Sequence, residues 1–224
     1  MKKTTSRAPV PYRIIESERD IREGIRALRR KCPVMRTLHD AAGDPPLRRR
    51  PAGFEGLARI VIGQQVSVAS AGAIWTRTAE ICRPFEPQNL LRLTDARLST
   101  AGLSRAKMRT LRAIASAAMT DLDLEGLGQE SDAAIHTALT RLVGIGPWTA
   151  DVYIMFCLGR ADGWAAGDLA LQIATQRALR LDLRPDADEL KRIAERWRPW
   201  RGVAARLLWA YYAAARTQSS AVPV

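Results

Sequence analysis

The chain has 224 residues, 35 of them Lys or Arg against 23 Asp or Glu, so it carries a formal charge of +12 and a pI near 10.6. That length suits one compact domain or two closely packed lobes, and the positive excess suits a polyanionic partner such as nucleic acid, although GC-rich coding also produces an Arg- and Ala-rich chain. No stretch approaches the ~20 apolar residues of a membrane span and the basic N-terminus lacks the apolar run of a secretory signal, so a soluble cytoplasmic protein with no membrane partner is expected.

Residues 1–11 are polar, contain two prolines and read as a loose tail. Ser17 can cap a helix running to about Lys31, with Asp20 in its first turn and Pro33 just beyond its end. A short second helix ends before Gly43, and the turn-rich segment from Gly43 to Pro51, with Arg48, Arg49 and Arg50 in a row, reads as a linker. Phe54, Leu57, Ala58, Val61 and Ile62 keep a helical period, and another helix runs from about Val66 to Cys82. Thr94 caps a short helix. Ser104 caps a longer one that turns Met108, Leu111 and Ala115 inward and Lys107, Arg109 and Arg112 outward.

Ser131 starts a helix that ends at Leu142, and after the turn at Gly144 and Gly146 a further helix opens on Pro147 and continues to Leu158. Two helices follow Asp168 and Asp186, and an Ala-rich one spans about Arg201 to Arg216. No alternating strand pattern or internal repeat occurs, so the fold class is all-α. Cys32, Cys82 and Cys157 are odd in number and far apart, which leaves no disulfide framework and no four-thiolate zinc or iron–sulfur site within the chain.

The sequence Leu142-Val143-Gly144-Ile145-Gly146-Pro147-Trp148-Thr149-Ala150-Asp151 places a glycine turn before a helix N-terminus, where free N–H groups and the helix dipole favour a phosphate. An ordinary helix corner with a glycine C-cap has the same local pattern. This segment resembles the hairpin of the helix-hairpin-helix (HhH-GPD) superfamily of DNA glycosylases. Phe54 to Ser67, Gly102 to Lys107, Asp168 and Glu195 to Arg201 resemble its 3-methyladenine DNA glycosylase II branch in order and spacing, continuously from Phe54 to about Tyr212. The chain looks like a compact form without the additional N-terminal β-rich domain of the bacterial type member.

The resemblance implies a two-lobed helical protein with its cleft between lobes. Residues 53–167 would form one lobe containing the hairpin; 12–52 would pack with 168–224 as the other. It implies Asp168 as the catalytic acid, whose local alternative is an N-cap, and Trp148 and Trp209 as pocket aromatics suited to cationic bases. Val152 stands where the family has a pocket tyrosine. Gln65 matches the wedge that replaces an extruded nucleotide, though Gln64 and Gln65 could also cap a turn. Gly144, Gly146 and Lys107 would meet DNA, and the main-chain carbonyls of Thr140, Leu142 and Ile145 would hold a monovalent cation bridging to phosphate.

No cofactor is required for the implied chemistry, which is removal of alkylated purines from damaged double-stranded DNA by a monomer. Trp148 replaces the lysine of bifunctional relatives, so a monofunctional enzyme is expected. Excision of oxidised or deaminated bases, or noncatalytic DNA binding, are the alternatives. Asp151 and Asp162 read as structural acids, Trp75, Trp164, Trp197 and Trp200 as packing residues, and His39 and His136 as surface or partnered side chains.

Overall fold

The computed structural model describes residues 12–220, so the expected tail lies outside the described residues. Local caps start most of the helices. α1 (Glu18–Lys31) begins at Ser17, whose main-chain N–H donates to Asp20 at 2.9 Å, and it closes at Cys32, so Pro33 opens α2 (Pro33–Ala42) where no helical N–H is needed. α3 (Gly53–Gly63) precedes α4 (Val68–Ile81), which starts on a Ser67 cap and therefore excludes Val66. The sequence reading passed over α5 (Pro87–Arg92), which has Pro87 in its first turn. Side-chain caps from Thr94, Ser104 and Ser131 begin α6 (Asp95–Thr100), α7 (Arg105–Thr120) and α8 (Asp132–Thr140).

After the glycine turn come α9 (Pro147–Phe156), α10 (Leu169–Leu179), α11 (Ala187–Ala194) and α12 (Arg201–Ser220). α8 and α9 each stop two residues short of the expected ends at Leu142 and Leu158. Among the described residues there is no strand, only an isolated bridge between Ile14 and Arg160. α3 packs on α4, α7 and α9, with α5 on α7 and α8 on α9; α12 packs on α1, α2 and α10. The two sets of helices share one continuous apolar core.

α9 is central to that core. Val152, Tyr153, Ile154, Met155 and Phe156 are consecutive buried residues, each fully buried apolar side chain worth about 1.5–3 kcal/mol. The Tyr153 hydroxyl also accepts the N–H of Gly53 at 2.9 Å, which ties the start of α3 to it.

The segment read as a linker is a strap laid across α9 and α12. The Arg50 N–H donates to the Phe156 carbonyl at 3.0 Å and the Arg49 guanidinium to that of Cys157 at 2.8 Å. From below, buried Arg206 donates to the carbonyls of Leu47, Gly202 and Met155 at 3.3, 2.8 and 2.9 Å, with its guanidinium 4.5 Å from the centre of the Phe156 ring. Burial, then the neighbouring Arg49 and Arg48, lower its pKa to about 10, so it stays charged at neutral pH. Arg112 corrects another expectation: it does not face outward but donates to the Leu91 and Leu93 carbonyls and to Asp95. Its long stem lets the guanidinium satisfy carbonyls that the C-terminus of α5 leaves open.

Asp151 lies between α8 and α9 with its Oδ1 3.8 Å from His136 Nε2, and burial raises its pKa from 3.8 to about 7 despite the attraction of Lys191. The folded protein thus retains a proton that the unfolded chain has already released, and stability declines as pH rises between those two values. Asp151→Asn should therefore gain melting temperature over the parent, by more at pH 8 than at pH 5; equal shifts in thermal melts at the two pH values would contradict this account.

Candidate active site

Asp168 has both roles that the sequence left as alternatives. Its Oδ1 caps α10 by accepting the Leu171 N–H at 2.9 Å and also accepts the Trp209 indole N–H at 2.9 Å. Its Oδ2 accepts the Trp148 indole N–H at 2.8 Å. Three donors from α10, α12 and α9 thus fix the carboxylate, and Oδ2 keeps one acceptor position for a further partner. The indoles therefore orient the acid as well as offering aromatic surface.

The half-buried carboxylate opens onto a cavity of about 310 Å³, at the small end of the ~300–1,000 Å³ range of ligand pockets. Trp148, Val152 and Phe156 lie four residues apart on one face of α9 and form one wall; Trp209 and Ala213 repeat that spacing on α12. Ile60 and Gly63 come from α3, and Arg48 and Arg50 from the strap. A wider depression of about 920 Å³ along α6 and α7 shares no residue with this cavity, and its carboxylate, Asp95, pairs with Arg112.

Beside the cavity, the turn after α3 is held from two sides. Gln64 donates to the Thr149 hydroxyl at 2.8 Å, and Lys107 donates to the Ile62 carbonyl at 2.7 Å. Lys107 is therefore folded back onto the end of α3 rather than facing freely outward, and burial lowers its pKa. Gln65 is left exposed with a left-handed φ of 58°.

The hairpin separates two uses of glycine. Gly144 has φ 83°, and a Cβ there would sit 1.9 Å from the Thr110 hydroxyl oxygen, so the fold itself requires glycine. A Cβ on Gly146 would meet nothing within 4 Å. The space beside Gly146 is open to a ligand, and among the described residues the main-chain N–H groups of Gly146 and Trp148 have no hydrogen-bond acceptor. Ile145, only 4% exposed, pins the turn to the core. The Leu142 carbonyl accepts the Ile145 N–H at 3.1 Å, whereas among the described residues those of Thr140 and Ile145 receive no N–H from a turn or loop.

Sequence reasoning missed Ile60, Phe156, Arg48 and Arg50 as cavity residues. The triple arginine before Pro51 was the available signal, and it was read as linker charge. The other acids have separate tasks: Asp162 binds Arg201 and Arg198, and Asp151 lies outside the cavity. Trp164 and Trp197 are buried with ring centres 5.5 Å apart, Trp200 lies under Arg13, and Trp75 packs on Phe85. His39 bonds to Asp44, and all three cysteines are buried and free.

The fold and site define a helical protein in which a glycine hairpin with two free main-chain N–H groups precedes the helix that walls an acid-and-indole cavity. Residues 58–199 match the HhH-GPD superfamily of base excision DNA repair proteins, and the chain belongs to that family. An alkylbase DNA glycosidase-like protein of Schizosaccharomyces pombe is 25% identical over 70% of this chain and 77% of its own length. A probable bifunctional transcriptional activator/DNA repair enzyme AlkA of Mycobacterium tuberculosis is 32% identical over 77% of this chain, which spans only 36% of that relative. The structure of the S. pombe 3-methyladenine DNA glycosylase in complex with abasic DNA superposes with a TM-score of 0.76 at 26% identity, covering 84% of this chain and 95% of the other.

The two hairpin glycines should respond differently to alanine. Gly144→Ala should lose about 2 kcal/mol or more of stability, from left-handed backbone and the Thr110 clash. Gly146→Ala should keep its melting temperature and bind duplex DNA more weakly in a polarisation titration; wild-type affinity in that variant removes Gly146 from the phosphate grip.

Proposed function

We propose that this chain is a monofunctional DNA glycosylase that hydrolytically removes alkylated purines of the 3-methyladenine type from duplex DNA, leaving an abasic site. It acts as a cytoplasmic monomer; among the described residues no helix is long and apolar enough to cross a membrane. The observation that carries the reading is one carboxylate, fixed by two indole N–H groups, at the edge of a cavity sized for a single base. The names of the relatives, and the abasic DNA bound to one of them, support it.

The glycosidic bond breaks through an oxocarbenium-like sugar, so a fixed negative charge beside C1′ stabilises the transition state, and the free position on Asp168 Oδ2 can accept a proton from attacking water. An N3- or N7-alkylated purine already carries positive charge and leaves neutral, so no second acid is needed. The faces of Trp148 and Trp209 attract such a cation, and Val152 in place of a tyrosine leaves the wall between them smooth. Among the described residues no lysine lines the cavity, and Lys107 is engaged at Ile62, which favours water over an amine as nucleophile.

A stacked base must first leave the helix. Gln65, exposed two residues beyond Gly63 of the cavity wall, fills the gap and can bond to the orphaned partner base. The free N–H groups of Gly146 and Trp148 receive a backbone phosphate. The carbonyls of Thr140, Leu142 and Ile145, at the negative end of α8, have the chemistry to hold a monovalent cation there, which would offset phosphate charge.

Release of free bases from methylated duplex DNA tests the reading. Wild type should liberate methylated purines and leave alkali-labile abasic sites, with Asp168→Asn at least about 100-fold slower. An asparagine can still cap α10 through its oxygen, but its amide N–H then opposes the Trp148 indole N–H. No release by wild type, or equal release by the variant, rejects this function.

A further inference from the structure

Outside the base cavity, α1 carries a separate concentration of positive charge. Arg19, Arg22, Arg26 and Arg30 recur every three or four residues, so they form one stripe along the helix, and all four are exposed. Ile21, Gly24, Ile25 and Leu28 occupy the opposite face and are buried. A Cβ on Gly24 would sit 2.7 Å from Val203 and 2.8 Å from Trp200, so α1 rests on the start of α12, whereas the cavity uses Trp209 and Ala213 of that helix and no residue of α1.

The stripe is not neutralised. Among the described residues none of its four arginines makes a side-chain hydrogen bond or an ion pair, because the neighbouring carboxylates are engaged elsewhere. Asp20 accepts from Ser17, Glu23 pairs with Arg13, Asp40 with Arg29, and Asp44 with His39 at 2.7 Å. Glu18 is the one remaining acid of α1. Arg22 and Arg26 line a depression of about 400 Å³ between α1 and α2 whose two acids, Asp40 and Asp44, are both held in those pairs. Like charges four residues apart weaken a helix, and Arg22, Arg26 and Arg30 make two such pairs. Folding gains nothing from this arrangement, which points to a ligand.

The geometry also selects the ligand. At 1.5 Å per residue the four side chains span about 16 Å, roughly half a turn of B-DNA, whose phosphates place one charge about every 1.7 Å along the axis. The fork of an arginine matches phosphate oxygens. A protein partner is held instead by apolar or aromatic anchors, and none of the exposed large apolar side chains among the described residues lies on α1 or α2. Charge without an anchor fits a sequence-independent contact to nucleic-acid backbone.

We propose that Arg19, Arg22, Arg26 and Arg30 form a second duplex-binding site, distinct from the hairpin and the cavity. Through it the protein holds one DNA segment while the cavity face is on another, and it passes between segments without full release. The proposal rests on the glycosylase reading only for duplex binding at the hairpin.

Titration with a duplex of about 11 base pairs, roughly one helical turn, followed by sedimentation equilibrium at low salt, counts the duplexes held per chain. Wild type should saturate at two. The variant combining Arg19→Gln, Arg22→Gln, Arg26→Gln and Arg30→Gln should saturate at one, with its fold checked by a thermal melt, and Arg→Lys at the same four positions should still hold two. In stopped flow, wild type should leave a labelled duplex faster as unlabelled competitor duplex is added, and the glutamine variant at a rate independent of competitor. One duplex per wild-type chain, two per glutamine-variant chain, or one per lysine-variant chain overturns the site. A poly-glutamate peptide that displaces the second duplex at a lower concentration of charge than competitor DNA overturns the choice of DNA and assigns the stripe to an acidic protein. Two duplexes bound without any base release reject the glycosylase reading and leave this site standing.

Discussion

The three hydrogen bonds to Asp168 make the site conditional on the tertiary fold. Leu171 is local to the acid, but Trp148 and Trp209 belong to helices on opposite sides of it, 20 residues earlier and 41 later. An indole N–H donates a single hydrogen bond in a fixed direction, so Trp148 alone holds Oδ2, while Trp209 adds a second donor to the Oδ1 that Leu171 already holds. Docking of α12 against α10 and α2 therefore assembles the acid as well as burying apolar surface. A capping aspartate alone would be an ordinary helix start; the indoles convert it into a positioned charge facing a cavity.

The strap meets a related constraint. It has no regular secondary structure, so its main-chain groups and those it covers on α9 need partners. Arg206 supplies donors to carbonyls in the strap, in α9 and in its own helix, while Arg49 takes the end of α9. Burying a guanidinium without a carboxylate is costly, and the depressed pKa of Arg206 reflects that cost. Carbonyl dipoles and the Phe156 ring offset part of it, and the net positive charge remains under the cavity floor.

What could be read from sequence follows the range of the interaction. Ser17, Thr94, Ser104, Ser131, Asp168 and Asp186 cap helices through contacts three residues away, so they were legible. The strap was not, because the carbonyls that Arg49 and Arg206 satisfy lie 108 and 159 residues distant and no local pattern encodes them. Arg112 was misread for a similar reason: a helical wheel predicts which way a side chain departs, and its flexible stem brought the charge back to α5. The indole bonds to Asp168 were also hidden, since an aromatic pocket residue and a hydrogen-bond donor are the same letter.

α9 joins the two halves of the chemistry. Its first turn carries the free N–H groups at Gly146 and Trp148, and its cavity face runs through Trp148, Val152 and Phe156 over about 12 Å of rigid helix. A phosphate held at the hairpin is consequently at a fixed distance from the pocket wall, because no flexible joint lies between them. Gly144 sets the angle at which this helix leaves the turn, and Ile145 locks that angle to the core. Asp168 is bonded to Trp148 at this same end of α9, 2.8 Å from its indole nitrogen, so the free hairpin N–H groups and the acid are tied to one turn of rigid helix, which lets sequence-independent contacts serve a reaction at a single sugar.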